Sequence, residues 1–169
     1  MATTIHLVNS VAEVYLAADL ALELGRHERH PLQAGARQAL ADELASGIAT
    51  GDTAVLLAIH GSDEGTHAPV GCVVVKRVVD GVLGLRFEVG QYFVEPAFRG
   101  CGVGRRLARA ATEVIFAMSN GADAAVRMVT TTGALHPFYE QLGFKTVGRI
   151  NEARVSDMWH ALREPGTEV

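Results

Sequence analysis

The apolar residues of this chain follow two rhythms in turn. In the first fifty residues, Val11, Val14, Tyr15, Ala18 and Leu22 recur at helical spacing and predict one apolar helix face. Ser10 precedes that run and Glu13 follows three residues later, the reciprocal pairing of a capping box. Leu32, Ala36, Leu40, Leu44 and Ile48 predict a second helix. His27–Pro31 punctuates the chain before it, with Pro31 suited to a helix start, and Gly51 ends it. A short strand, Ile5–Val8, is expected ahead of both helices.

From Thr53 the spacing shortens. Thr53–Ile59 and Val70–Val79 read as strands joined across the polar stretch Gly61–Ala68, and Asp80-Gly81 is a hairpin signal of the type I′ kind. Leu85–Val94 is the next strand, ended by Pro96, which has no amide hydrogen for a ladder. Gly102–Met118 is the strongest helix. Val103, Leu107, Ala110, Ala111, Val114, Ile115 and Met118 share one face, which Arg105, Arg106, Arg109 and Glu113 avoid. Asn120-Gly121 stops it. Ala125–Thr131 predicts a strand, Leu135–Leu142 a short helix closed by Gly143, and Phe144–Ile150 and Arg154–Leu162 two final strands.

The predicted order is thus β-α-α-β-β-β-α-β-α-β-β. Only the connection through the long helix requires a parallel crossover. The expected fold class is therefore α/β in the α+β sense, a mixed and mostly antiparallel sheet with helices on both faces. With 169 residues and no repeat or linker, a single domain over 1–169 is expected.

Composition narrows the function classes only a little. A net charge of -4 argues against a nucleic-acid surface, which needs a clustered basic stripe. The two cysteines, Cys72 and Cys101, have neither metal-ligand spacing nor a disulfide framework, so no metal is expected. No basic leader precedes an apolar run at the N-terminus, and no apolar run approaches the roughly 20 residues that span a bilayer. A soluble cytoplasmic protein with no membrane partner is expected.

The chemistry concentrates at Arg99-Gly100-Cys101-Gly102-Val103-Gly104, between a strand and the long helix. Glycines at a helix start let a ligand approach the backbone. The first helical amides lack internal partners, and the helix dipole adds positive charge there, so a phosphate fits. Arg105 and Arg106 stand in the first helical turn, where cations are unfavourable by roughly 0.3–1 kcal/mol each unless an anion lies among them. A nucleoside-triphosphate loop would need Lys and Ser or Thr after Gly104, which are missing. A Gly-x-Gly-x-x-Gly fingerprint fails at Arg105 or at Leu107.

Arg-x-x-Gly-x-Gly, filled by Arg99, Gly102 and Gly104, resembles the pyrophosphate-binding motif of the GCN5-related N-acetyltransferases (GNAT). His136-Pro137-Phe138-Tyr139-Glu140-Gln141-Leu142-Gly143-Phe144 resembles the second signature of that family. The likeness implies acetyl-coenzyme A as co-substrate, held by the backbone of Gly100, Cys101, Gly102, Val103, Gly104 and Arg105 with Arg99 beside them. It implies that the strand end at Phe93 and Val94 pairs with the pantetheine arm, and that the strands carrying Val94 and Thr130 splay apart. Tyr139 would supply a proton to the departing thiolate. Glu88, a carboxylate in an otherwise apolar strand, would be the base that takes the proton of a primary amine. Simple alternation places it on one face with Gly90, Tyr92 and Val94.

The bland readings are packing for Tyr139 and an edge pair with Arg86 for Glu88. Gly90 in mid-strand suggests a bulge or a close backbone approach. His27 and His30 read as a solvated junction, His136 as a helix start, and Cys101 as an exposed thiol without a catalytic part. Thr130-Thr131-Thr132 stands where many relatives carry asparagine. A small-molecule amine is the expected acceptor. The alternatives are a peptide or protein amine and a non-catalytic acyl-coenzyme A sensor. The closing strands of such proteins often pair between subunits, which makes a homodimer one expected assembly.

Overall fold

A computed structural model of the chain describes residues 2–27, 34–61, 66–80, 84–120, 124–130, 136–149 and 156–162. Seven strands form one sheet: β1 (Ala2–Leu7), β2 (Thr53–Gly61), β3 (His67–Asp80), β4 (Gly84–Val94), β5 (Ala124–Thr130), β6 (Lys145–Arg149) and β7 (Ser156–Leu162). Their spatial order is β1-β2-β3-β4-β5-β7-β6. Every neighbouring pair is antiparallel except β4 with β5. Among the described residues the α-helices are α1 (Val11–His27), α2 (Ala36–Thr50), α3 (Val103–Met118) and α4 (His136–Gln141). The predicted order of elements and the single parallel crossover are both realised.

The ends differ from the pattern-based expectation in instructive ways. β1 occupies Ala2–Leu7 rather than Ile5–Val8, because its backbone pairs with β2 along its whole length while its side chains are mostly exposed. Polar residues such as Thr3 and His6 therefore hide a strand whose warrant is the ladder. β2 and β3 likewise run further toward the intervening loop than their apolar stretches, to Gly61 and from His67. The β3–β4 hairpin forms, pairing Asp80 with Gly84. The type I′ turn expected at Asp80-Gly81 falls on residues 81–83, and that connection lies outside the described residues. So do His30, Pro31 and Leu32, at the expected junction between the first two helices. Described α2 begins at Ala36, after Gly35 at φ 81°, and ends at Gly51, φ 76°.

The helices cover both faces of the sheet. Ser10 and Glu13 form the expected capping box: the Glu13 amide donates to Ser10 Oγ at 3.3 Å, and the Ser10 amide donates to Glu13 Oε2 at 3.0 Å. The Asn9 amide donates to the same oxygen. Those contacts hold the exposed Glu13 carboxyl down at about 2, the Asn9 amide contributing most, then Ser10 and His6. Val14, Ala17, Ala18 and Leu44 from α1 and α2 pack on Val55, Leu57, Cys72, Val74 and Phe93. On the opposite face Val103, Leu107, Ala111 and Ile115 of α3 pack on Val73, Val75, Phe87, Val89 and Val126. Each fully buried Val, Leu, Ile or Phe here stabilises the fold by about 1.5–3 kcal/mol relative to its exposed state. Tyr139 and Phe144 put α4 and the start of β6 on the α3 side.

Two irregularities of β4 shape the crevice beside it. The strand carries a bulge: Val74 pairs with Gly90 and Cys72 with Phe93, so Gln91 and Tyr92 oppose Val73 alone. Gly90 thus lies at the bulge, as its position in mid-strand suggests, and Gln91 takes φ 43°. In addition, β4 and β5 pair only from Arg86–Val89 to Ala125–Met128, although β4 continues to Val94 and β5 to Thr130. The strands part beyond that point, and the crevice between them is the expected splay.

Candidate active site: the turn after β4 and the crevice beside it

Strand β4 ends at Val94, Pro96–Phe98 forms a single 3-10 turn, and α3 starts at Val103. Gly100 and Gly102 sit at φ 77° and 79°, the left-handed region where a side chain is strained. A Cβ on either would meet nothing within 4 Å, so the conformation rather than crowding demands glycine. Gly102 caps α3 with no side-chain hydrogen bond and no acidic residue in the first turn. The Arg106 amide donates to the Gly102 carbonyl at 3.1 Å, which leaves the amides of Val103, Gly104 and Arg105 ahead of the first helical bond. Backbone donors and a positive helix end are therefore presented together, which is the requirement for a pyrophosphate.

Gly104 has a different reason. Its backbone is helical, and a Cβ there would come within 3.4 Å of Phe138 and 3.7 Å of the Tyr92 hydroxyl. It is the packing of α3 on these aromatic rings that keeps this position small. The side chains around the turn also have defined tasks. Arg99 Nε donates to the Val94 carbonyl at 2.9 Å and its guanidinium lies 5.9 Å from the centre of the Phe93 ring. Arg105 Nη2 reaches Gln141 Oε1 on α4 at 3.4 Å. Arg106 and the Cys101 thiol are exposed.

The edge of β4 that faces the crevice is readable from its hydrogen bonds. The Glu95 amide donates to the Val70 carbonyl, on the β3 side. Backbone groups alternate sides along a strand, so those of Val94 point away from β3, into the crevice. Arg99 occupies the Val94 carbonyl, leaving the amide as the hydrogen-bonding group that Val94 offers. The Phe93 side chain is buried against α1 and α2, and Val94 packs toward α3.

Glu88 lies where the strands part, but on the other face from the one expected. Phe87 and Val89 belong to the α3 core, and so do Tyr92 and Val94, whereas Phe93 belongs to the α1–α2 core. The bulge at Gln91–Tyr92 inverts the alternation between Glu88 and Val94. Glu88 consequently shares the α1–α2 face with Phe93 rather than the face of Tyr92 and Val94. Its Oε1 accepts from Arg127 Nη1 of β5 at 3.1 Å and lies 3.4 Å from Arg86 Nη2. The pair with Arg86 is thus real, and a second arginine that chain spacing does not suggest joins it. A pocket of about 180 Å³ opens here, lined by Val74, Lys76, Glu88, Val89, Gly90, Gln91 and Arg127. Lys76 pairs with Glu43 of α2.

Tyr139 is buried, at 4% exposure, within rings of Tyr92, Phe138 and Phe144 whose centres lie 5.3–6.4 Å from its own. The Tyr92 hydroxyl donates to the Gly104 carbonyl, linking the aromatic cluster to the phosphate turn. Burial first, and Tyr139 second, push the Tyr92 hydroxyl well above the ordinary tyrosine range, so it stays a neutral donor. His136 is the first residue of α4, the helix-start place expected of it. The side chains of His27, His136 and Thr130, with all of Thr131 and Thr132, lie outside the description. Sequence reasoning missed Tyr92, Gln91, Lys76 and Arg127. For Arg127 the signal was present, a charged residue inside the apolar run Ala125–Val129.

A strand that ends in a left-handed glycine turn, opens a helix and parts from its parallel neighbour presents a candidate anion site beside a crevice. The chain belongs to the GNAT acetyltransferase family: the model for the acetyltransferase (GNAT) domain matches residues 52–146, just over half its length. None of the curated protein sequences matches it. Solved structures share its fold. A predicted acetyltransferase with acetyl-CoA from Clostridium acetobutylicum is 11% identical, with a TM-score of 0.71 over 89% of this chain and 95% of that one. An acyl-CoA N-acyltransferase from Pseudomonas aeruginosa is 18% identical, with a TM-score of 0.70 over 94% and 99%. A putative N-acetyltransferase from Lactobacillus plantarum is 22% identical, with a TM-score of 0.66 over 96% and 99%. Among the described residues no helix is long and apolar enough to cross a membrane.

Proposed function

We propose that residues 1–169 act as one N-acetyltransferase domain that moves the acetyl group of acetyl-coenzyme A to the primary amine of a small molecule by direct attack. The observation that carries this reading is the uncapped start of α3 behind Gly100 and Gly102, set at the end of a strand whose crevice edge is open. Membership of the family and a structural neighbour solved with acetyl-CoA support the choice of donor.

In this reading the amides from Gly100 to Arg105 hold the pyrophosphate, with Arg105 and Arg106 balancing its charge and Cys101 and Val103 lending backbone alone. Arg99 fixes the strand end against the turn, and the Val94 amide, next to Phe93, anchors the pantetheine arm. When bound, acetyl-coenzyme A supplies an acyl group activated as a thioester. The bulge at Gln91–Tyr92 leaves a backbone amide out of the β3 ladder, suited to receive the negative charge that develops on the acyl oxygen. Glu88 takes the proton of the attacking amine. Arg86 and Arg127 hold its carboxylate in place beside the crevice. A C–N bond forms, the C–S bond breaks, and Tyr139 returns a proton to the sulfur. The modest pocket at Glu88 favours a small acceptor over a folded protein.

The test is release of free coenzyme A thiol from acetyl-coenzyme A by the pure protein over a panel of amines. Glu88→Gln is expected to lower kcat by about 10²–10⁴-fold with coenzyme binding retained, the usual range for a positioned general base. Coenzyme binding without thiol release from any amine would defeat the catalytic reading.

A further inference from the structure

The bulge in β4 decides which helix Tyr92 meets. Counting by twos from Glu88 would put Tyr92 on the α1–α2 face. The extra residue at Gln91–Tyr92 turns it instead under α3, where its ring packs against the core beside Phe138 and Tyr139. From there the hydroxyl reaches one backbone atom of the helix, the carbonyl oxygen of Gly104. A Cβ on Gly104 would stand 3.7 Å from that hydroxyl and 3.4 Å from the Phe138 ring, so the small residue and the close phenol belong together. Burial, and after it Tyr139, keeps the phenol protonated and therefore a donor.

What this bond grips is a peptide unit rather than a residue. The Gly104 carbonyl and the Arg105 amide are two ends of one planar group, and in a helix they point opposite ways along the axis. The carbonyl looks along α3 toward Met118, and the amide looks back toward the glycine turn. That amide is one of those ahead of the first helical bond, which the Arg106 amide makes to Gly102. Whatever fixes the carbonyl end therefore also aims the Arg105 N–H. A donor on the carbonyl further polarises the unit and strengthens its N–H, by roughly 10–30% for successive bonds in a chain. Arg105 is tied a second time through its side chain, whose Nη2 lies 3.4 Å from Gln141 Oε1 of α4.

We infer that Tyr92 is a positioning residue for the donor, its hydroxyl aiming and strengthening the Arg105 amide as a ligand of the coenzyme A pyrophosphate. This rests on the acetyltransferase reading and adds to it a residue that acts through the backbone of α3. The bulge thus serves the donor site twice, once at the crevice and once beneath the phosphate turn.

The experiment is an amide NMR titration of the full chain and of Tyr92→Phe, which removes the hydroxyl and keeps the ring. Three ligands are compared: coenzyme A, ADP, which has the pyrophosphate without the pantetheine arm, and pantetheine, which has the arm without the phosphates. The variant is expected to bind coenzyme A and ADP about 3–10-fold more weakly, the worth of one hydrogen bond, and pantetheine equally well. Without ligand, its Arg105 amide proton should move upfield by more than those of Val103 and Gly104. The unaltered protein supplies a second test, because ADP must shift the Arg105 amide and pantetheine must not. Equal losses for ADP and pantetheine mean a generally loosened site and overturn the inference, as does undiminished affinity for both phosphate ligands. An Arg105 amide that ADP leaves unmoved in the unaltered protein overturns it too. In each of those cases coenzyme A still binds and the donor reading stands. If coenzyme A does not bind the unaltered protein, the transferase reading fails and the inference falls with it.

Discussion

Gly51 and Gly102 provide a matched pair for separating backbone strain from ligand binding. Both hold left-handed backbones, at φ 76° and 79°, and a Cβ on either would have open space around it. Replacement by alanine introduces no clash, so the loss of stability is the cost of a Cβ in this region, about 1–2 kcal/mol at each site. For a domain of 169 residues that corresponds to a fall in Tm of roughly 2–8 °C. Gly51 ends α2, remote in sequence from the turn, and only stability should change there. At Gly102 the chain relieves the strain by turning away from the left-handed region, and the amides of Val103 to Arg105 lose their common aim. Coenzyme binding must then restore the strained turn, which weakens affinity by up to the same free energy, about 5–30-fold. Urea denaturation and coenzyme A calorimetry on Gly51→Ala and Gly102→Ala measure the two effects. Equal coenzyme affinity in both variants, with both destabilised, would refute the assignment of the turn as the pyrophosphate site.

Gly104→Ala should bind coenzyme as the parent does and lose little stability, since its Cβ meets Phe138 at ordinary contact distance. Gly104→Val should instead be destabilised by about 1–3 kcal/mol through overpacking against Phe138 and Tyr92, read by denaturation. Tyr92→Phe removes the hydroxyl from the Gly104 carbonyl and should cost about 0.5–1.5 kcal/mol in the same assay. The buried Cys72 thiol, pushed up to about 12 by burial, should resist a thiol reagent at pH 8, while the exposed Cys101 is labelled. A thiol-free coenzyme A analogue should slow that labelling, as counting modified thiols by mass will show. Glu13 titrates at about 2 in the fold against an ordinary 4.5, so its contribution is complete above pH 4.5 and is lost as pH falls toward 2. Glu13→Gln should flatten stability over that window in acid denaturation.

The fold was legible wherever burial imposes a period. The α3 face read from Val103, Leu107, Ala111 and Ile115 is the face that packs on the sheet. The crossover followed from chain order alone. β1 was misplaced because its order comes from backbone pairing with β2, which leaves no trace in side-chain polarity. The turn was legible because left-handed backbone selects glycine at 100 and 102. Gly104 satisfied the same motif for a different reason, its contact with aromatic residues that the fold brings to it. The face of Glu88 was not legible, since one extra residue in β4 reverses a period of two and nothing in Glu88–Val94 locates it except Gly90. Arg127 could have been noticed but not placed, because only the β4–β5 register sets it opposite Glu88.

The seam between β4 and β5 has a consequence for how such a protein diversifies. Among the described residues, four pairs, from Arg86 with Ala125 to Val89 with Met128, form the ladder joining the half-sheet of β1–β4 to that of β5–β7. The proposed donor side is encoded in one unbroken stretch, the end of β4 with the turn and the start of α3. The proposed acceptor side is assembled from single positions on β3, β4 and β5. Exchanges at pocket positions such as Lys76 can therefore alter its lining without touching the segment proposed to grip the donor. A pocket that straddles the seam can thus be altered one strand at a time, while the proposed donor segment stays whole.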